Sequence, residues 1–124
     1  MHPFERLAAW KLAHVLVLDI YRASKTFPAD ERHGLTAQTR RATVSIAANI
    51  AEGSGKRTRP EFRRFLDIAL GSMTELECLL LILRDLEILE QGSWERIEER
   101  RAECGRVLWG LYRSMGKGRP PQAA

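Results

Sequence analysis

The sequence predicts an all-α protein folded as an antiparallel, up-down four-helix bundle, and three observations support this. The prolines at positions 3, 28, 60, 120 and 121 leave three long stretches without proline. Within these stretches apolar residues recur every three or four positions, which is the period of one helix face, and no strand-like alternation is present. The connections between the stretches are short, which favours antiparallel neighbours.

The first two helices are bounded by proline and glycine. The first is predicted over residues 4–26, because Pro3 suits an initial helical turn and the residue before Pro28 avoids helical geometry. The second is predicted over residues 35–52 and ends at Gly53, the first residue of a Gly-Ser-Gly segment.

The third helix is predicted over residues 59–90, since residues 58–61 resemble a capping box. Gly92 and the serine after it separate this helix from the fourth, over residues 94–115. Residues 116–124 are expected to form a flexible basic tail. The third helix has the clearest core stripe: Phe62, Phe65, Ala69, Ser72, Leu76, Leu79, Leu83 and Leu86.

Smaller core assignments follow from the same periodicity. Cys78 and Cys104 fall on the core side of their helices, where free cysteine acts as a small hydrophobic residue. Gly71 costs its helix about 1 kcal/mol relative to alanine, so we expect it to mark a close backbone approach. His14 lies among apolar neighbours and is expected to be a packing residue.

The first helix is apolar on two sides. Leu16 and its row point to one side, whereas Val15 and Leu18 point nearly the opposite way. Isolated exposed aliphatic residues are common, but a helix that is apolar on two sides needs two partners. We therefore expect copies of the chain to associate there, through Trp10, Val15, Leu18 and Tyr21.

The formal charge of +4 is concentrated in residues 56–64, which hold five basic side chains and one acid. A solvated surface is the simple interpretation, but cations at a helix N-terminus oppose the helix dipole, which favours an anionic partner. Phe62 and Phe65 are assigned to the core, so phosphate or shape contact is expected rather than base stacking. The candidate nucleic-acid contacts are Lys56, Arg57, Arg59, Arg63 and Arg64, with Arg40 and Arg41 extending them or bracing an interface.

A polar row on the second helix has two interpretations. It could form a structural network inside the bundle or across a subunit interface, which is how buried polar groups usually act. It could instead form a catalytic pocket using Glu52 with Arg41 or His14, although no metal-ligand spacing accompanies it. The residues of the row are Gln38, Arg41, Ser45, Asn49 and Glu52.

Several classes of protein are excluded. The longest apolar run, residues 78–83, is far shorter than the roughly 20 residues that span a bilayer. Two cysteines 26 positions apart form neither a disulfide framework nor a metal site. We therefore expect a cytoplasmic protein that is not an enzyme, with no metal, cofactor or membrane partner.

The order of these residues resembles a bacterial four-helix-bundle family first noted as open reading frames inside intervening sequences of large-subunit ribosomal RNA genes. A more distant member is the accessory variability determinant of diversity-generating retroelements. The resemblance implies a homopentameric ring with a basic surface and, for the retroelement relative, binding to a reverse transcriptase and to nucleic acid. It is carried by Phe27-Pro28, Glu31, Gly34-Leu35, Gln38, Arg40-Arg41-Ala42, Ser45-Ile46, Asn49-Ile50-Ala51-Glu52-Gly53, Phe65-Leu66, Ile68-Ala69, Gly71-Ser72 and Glu75.

Two functions remain open after these observations. The first is an oligomeric RNA-binding accessory protein, with RNA or an RNA/DNA hybrid as ligand and a reverse transcriptase or RNA-processing protein as possible partner. The second is a scaffold ring that binds another protein and makes no direct nucleic-acid contact.

Overall fold

Every regular element is helical in the computed structural model, which describes residues 1–116. The four α-helices are α1 (Ala8–Ser24), α2 (Leu35–Ser54), α3 (Arg59–Asp85) and α4 (Gln91–Ser114). Short 3-10 turns at Pro3–Arg6 and Ala29–Glu31 precede α1 and α2. The all-α prediction is confirmed for this part of the chain, whereas the predicted tail lies outside the described residues except for Gly116.

The helices close into a bundle with one core. Helices α1 and α3 each pack against α2 and α4, and the diagonal pairs keep their backbones apart throughout residues 1–116. Short connections make each helix antiparallel to the next. Aliphatic side chains that are completely buried fill the centre: Leu16, Ile20, Ile46, Ile50, Leu66, Leu76, Leu80, Leu83 and Leu108.

The ends of α1 and α2 differ by a few residues from the prediction. Helix α1 begins at Ala8 because the preceding turn leaves Leu7 in extended geometry, with ψ of 128°. It ends at Ser24, where Lys25 donates its backbone N–H to the Arg22 carbonyl. Helix α2 continues past Gly53 to Ser54, since Gly53 retains helical geometry.

Helix α3 ends at Asp85, before the predicted boundary at residue 90. Glu87 has a φ of 60° and donates its backbone N–H to Arg84, while Ile88 donates to Leu83 at 3.0 Å. This pair of hydrogen bonds is the Schellman arrangement that ends many helices, normally with glycine at the left-handed position. Gly92, the expected stop signal, instead lies in the first turn of α4.

Three of the smaller core assignments are wrong. Cys78 is exposed, although Cys104 is buried as expected. His14 is also exposed and stacks on Trp10, with ring centroids 4.7 Å apart. Gly71 has open space around it, because no atom lies within 4 Å of the position that a Cβ would take.

Candidate nucleic-acid interface

A close helix crossing brings the basic segment to one end of the bundle. Gly53 sits against α3, where a Cβ would lie 2.8 Å from Phe65 Cβ, so α2 and α3 meet at a glycine. Thr58 then caps α3 by accepting the backbone N–H of Glu61 at 3.2 Å. Residues 56–64 therefore turn through the loop into the first turns of α3, and we call this segment the basic corner.

The ring of Phe65 supports two cations of the basic corner. Lys56 Nζ and the guanidinium carbon of Arg64 each lie 5.0 Å from its centroid. Phe65 is buried as the core stripe predicts, yet its ring remains within reach of both cations. Arg57 and Arg59 are exposed in the same segment. The corner thus presents its charged groups to solvent.

Arg63 is held differently from its neighbours. Its guanidinium lies over the Tyr112 ring of α4 at 4.1 Å, and it forms no ion pair within residues 1–116. Its Nε is buried beside Gly116 and has no hydrogen-bond partner in that range. Aromatic stacking fixes the plane of this side chain, and no carboxylate of residues 1–116 pairs with its charge.

Two stacked aromatic residues on α4, of which Trp109 is exposed and Tyr112 is half-buried, adjoin the basic corner. Trp109 is 47% exposed and stacks on Tyr112, with centroids 5.3 Å apart and ring planes 20° apart. The Arg113 guanidinium lies 5.9 Å from the Trp109 centroid. We call Trp109 and Tyr112 the aromatic pair. This pair was not predicted from the sequence, although the spacing of Arg106, Trp109 and Arg113 places these residues on one helix face.

Arg40 and Arg41 do not extend the basic corner. They lie near the start of α2, and the 13 residues from Arg41 to Ser54 cover about 20 Å along that helix. The Arg40 Nε donates to Ser24 Oγ at 2.8 Å, and its guanidinium lies over the Tyr21 ring at 4.6 Å. Arg40 therefore braces the contact between α1 and α2 within one subunit, and its predicted role at a subunit interface stays a prediction.

Only part of the predicted polar row forms a network within one subunit. Ser45 and Ser72 hydroxyls lie 2.8 Å apart across α2 and α3, and the Asn49 amide donates to the Ser45 carbonyl and hydroxyl. The other three members are exposed, and no hydrogen bond in the described part of the chain joins them to this network or to His14: Gln38, Arg41 and Glu52.

Exposed apolar side chains lie on opposite sides of the bundle. On α1, Val15 and Leu18 are 41% and 37% exposed, and Tyr21 is exposed beside them. Trp10 is half-buried against Phe4 and His14. Helix α3, diagonally across, exposes Ile68, Leu81 and Ile82. Leu86 was predicted as part of the buried core stripe, and this is wrong: it is 59% exposed, because α3 ends at Asp85 and Leu86 lies beyond the helix.

Two kinds of feature are absent from the described residues. No helix in residues 1–116 is both long and apolar enough to cross a membrane. No group of three or more histidine, cysteine, aspartate or glutamate side chains in that range is placed to hold a metal ion.

The fold and the site define an antiparallel four-helix bundle with a cationic end. The chain belongs to the family described as 23S rRNA-intervening sequence protein, whose family model matches residues 5–110. Its backbone is similar to the crystal structure of a protein of unknown function from the S23 ribosomal protein family of Bacteroides thetaiotaomicron, with a TM-score of 0.78 and 24% identity. That similarity covers 85% of this chain and 95% of the other and speaks to the fold alone. None of the curated proteins matches the chain.

Proposed function

We propose that this protein is a non-enzymatic RNA-binding accessory protein that acts as a ring of identical subunits. The observation that carries RNA binding is the basic corner, where Lys56, Arg57 and Arg64 form no ion pair with any carboxylate of the described chain. Uncompensated cations at one end of a bundle attract a polyanion. The family's link to an intervening sequence of 23S rRNA supports RNA as that polyanion.

The first experiment compares charge reversals at the two ends of the bundle. Arg57→Glu with Arg64→Glu alters the basic corner. Lys25→Glu with Arg32→Glu is the matched control, since these two residues are also exposed but lie at the far end of the bundle. Fluorescence anisotropy with a labelled structured RNA is measured over a salt series. The corner variant should weaken binding and flatten the salt dependence by roughly 0.7–0.9 in log–log slope for each phosphate that is no longer neutralised. Equal effects from both variants would contradict the assignment.

The exposed faces of α1 and α3 support a ring. A closed ring with cyclic symmetry needs two different surfaces that meet head to tail. The α1 face, with Val15 and Leu18, and the α3 face, with Ile68 and Ile82, lie on diagonal helices and so point in opposite directions. In this proposal the α1 face of one subunit contacts the α3 face of the next. The family resemblance implies five copies.

Mixing variants tests this arrangement. Val15→Asp with Leu18→Asp should reduce the light-scattering mass to that of a monomer, as should Ile68→Asp with Ile82→Asp. Mixing the two monomeric variants leaves one intact pair of faces, so the mixture should form a dimer and stop there. If two copies met through their α1 faces alone, Ile68→Asp with Ile82→Asp would leave the dimer intact, and this result would contradict the head-to-tail arrangement. Val44→Asp, on the outer face of α2, is the control and should leave the mass unchanged.

A protein scaffold is the second candidate function. Leu81 and Leu86 are exposed near the end of α3 that lies away from the basic corner, and Leu86 is the most exposed leucine of the bundle. Apolar groups of this kind often mark contacts with another protein, such as a polymerase or a reverse transcriptase. A ring that binds no RNA in the salt series would favour the scaffold.

A further inference from the structure

The aromatic pair and the arginines around it form a surface that the basic corner alone does not explain. From this geometry we infer that Trp109 stacks on a base of single-stranded RNA while Arg63 and Arg113 contact the flanking phosphates. This inference rests on the proposed RNA-binding function and adds the strandedness of the ligand to it.

Trp109 is the tryptophan whose ring the bundle leaves exposed to solvent. Trp94 donates its indole N–H to the Leu80 carbonyl at 3.0 Å and is half-buried. Trp10 is half-buried between Phe4 and His14. Trp109 also stacks on a neighbouring ring, that of Tyr112, but it is 47% exposed and no hydrogen bond of its indole N–H is present within residues 1–116. A large aromatic side chain presented on the outside of a helix offers a flat face to a base, and stacking of this kind tolerates any sequence.

The charges beside this ring fit a strand of phosphates. The Arg63 guanidinium lies 4.1 Å from the Tyr112 centroid and the Arg113 guanidinium lies 5.9 Å from the Trp109 centroid, so each ring of the aromatic pair has a cation beside it. Arg64 and Asp67 line the groove between α3 and the end of α4, and Asp67 supplies the carboxylate among the residues that line this groove. The buried Nε of Arg63 lacks a hydrogen-bond acceptor within residues 1–116. A phosphate bound to the other guanidinium nitrogens would partly compensate the positive charge of this side chain.

The same charges argue against a second copy of the chain as the occupant. Arg63 of α3 contacts Tyr112, so the aromatic pair lies on the α3 side of α4. Arg100, which bonds Asp19, marks the opposite, α1 side. The aromatic pair is thus separated from the apolar face of α1. A contact between the aromatic pairs of two copies would bring their arginines together. A polyanion neutralises them instead.

The test separates stacking from phosphate contact by using two probes. One is a fluorescein-labelled oligouridylate, and the other is an abasic oligonucleotide of the same length, which keeps the phosphates and lacks the bases. Trp109→Ala is compared with Trp109→Phe, which retains a stacking face, and with Arg57→Glu/Arg64→Glu, all in the full chain. Light-scattering mass is recorded for each variant.

Trp109→Ala should weaken oligouridylate binding by about 5- to 150-fold and leave the abasic probe unchanged, and Trp109→Phe should recover most of the loss. The Arg57→Glu/Arg64→Glu variant should weaken both probes. Oligouridylate binding should also quench tryptophan fluorescence in the parent chain more than in Trp109→Phe.

Three results would overturn the inference. If Trp109→Ala weakens both probes equally or weakens neither, stacking is absent, while the phosphate-based function still stands. If Trp109→Ala lowers the oligomeric mass, the surface is a protein contact. If the parent chain binds neither these probes nor the structured RNA, the proposed function fails together with this inference.

Discussion

Two glycines on facing helices should respond to the same substitution with opposite signs. At Gly53 an alanine Cβ would lie 2.8 Å from Phe65 Cβ and 2.9 Å from Phe62 Cδ1, and 3.2 Å from the Phe62 carbonyl oxygen. At Gly71 an alanine Cβ would have no atom within 4 Å. Gly53→Ala and Gly71→Ala therefore form a matched pair, in which the added methyl group is the same and its surroundings differ.

The magnitudes follow from the contacts. Carbon atoms pack favourably at about 3.5–4.0 Å, so Gly53→Ala forces α2 and α3 apart by roughly 1 Å. Overpacking of this kind costs about 1–3 kcal/mol, and little helix propensity is regained because Gly53 lies in the last turn of α2. Gly71→Ala should raise the free energy of unfolding by about 0.5–1 kcal/mol, since it removes a mid-helix glycine without a clash.

Urea unfolding followed by circular dichroism measures both variants, at one fixed protein concentration so that association contributes equally. We expect Gly53→Ala to unfold at a lower urea concentration than the parent chain and Gly71→Ala at a higher one. The dependence of the free energy of unfolding on urea concentration should stay the same. A Gly53→Ala protein as stable as the parent would show that α2 and α3 are not in contact at this glycine. The same comparison in the Val15→Asp/Leu18→Asp background removes the neighbouring subunit, and a loss of stability from Gly71→Ala there would contradict the open space around this glycine.

Three further predictions use the same measurement or a simple labelling assay. Thr58→Ala removes the cap of α3 and should lower the free energy of unfolding by about 1 kcal/mol in urea, and no change would mean that the cap bond is absent in solution. Glu87→Gly relieves a left-handed backbone and should stabilise the protein by up to about 1 kcal/mol, whereas a loss would contradict that geometry. A thiol reagent near pH 8 should modify exposed Cys78 in the folded protein and reach Cys104 only after unfolding, because burial raises the pKa of the Cys104 thiol to about 12. Rapid modification of both thiols in the folded protein would argue against the buried environment of Cys104.

Periodicity was a good guide to the bundle because burial follows helical spacing. The predicted core stripe of α3 includes Phe65 and Leu83, and both are buried. It was a poor guide at the helix ends, where single hydrogen bonds decide the outcome. A glutamate occupies the left-handed position that glycine usually takes, so nothing in the local sequence signalled that α3 ends at Asp85.

The candidate site was predicted only in the part that is local in sequence. Residues 56–64 are contiguous, so their charge was visible without a structure. The contact between Arg63 and Tyr112 joins residues nearly fifty positions apart, and it exists because α3 and α4 pack side by side. Arg40 shows the reverse error. Its charge suggested that it belongs to the basic corner, but the length of α2 places it near the other end of the bundle.

The two ends of α3 carry opposite charge, and this makes the subunit an electric dipole. Residues 85–90 hold three acids and no base, whereas the basic corner holds five bases and one acid. The 27 residues of α3 place these groups about 40 Å apart. A polyanion at a distance therefore exerts a torque on the bundle that turns the corner toward it before any contact forms. In a cyclic assembly whose bundles run along the symmetry axis, the axial components of these dipoles would add, so the basic corners of all copies would lie on one face of the ring.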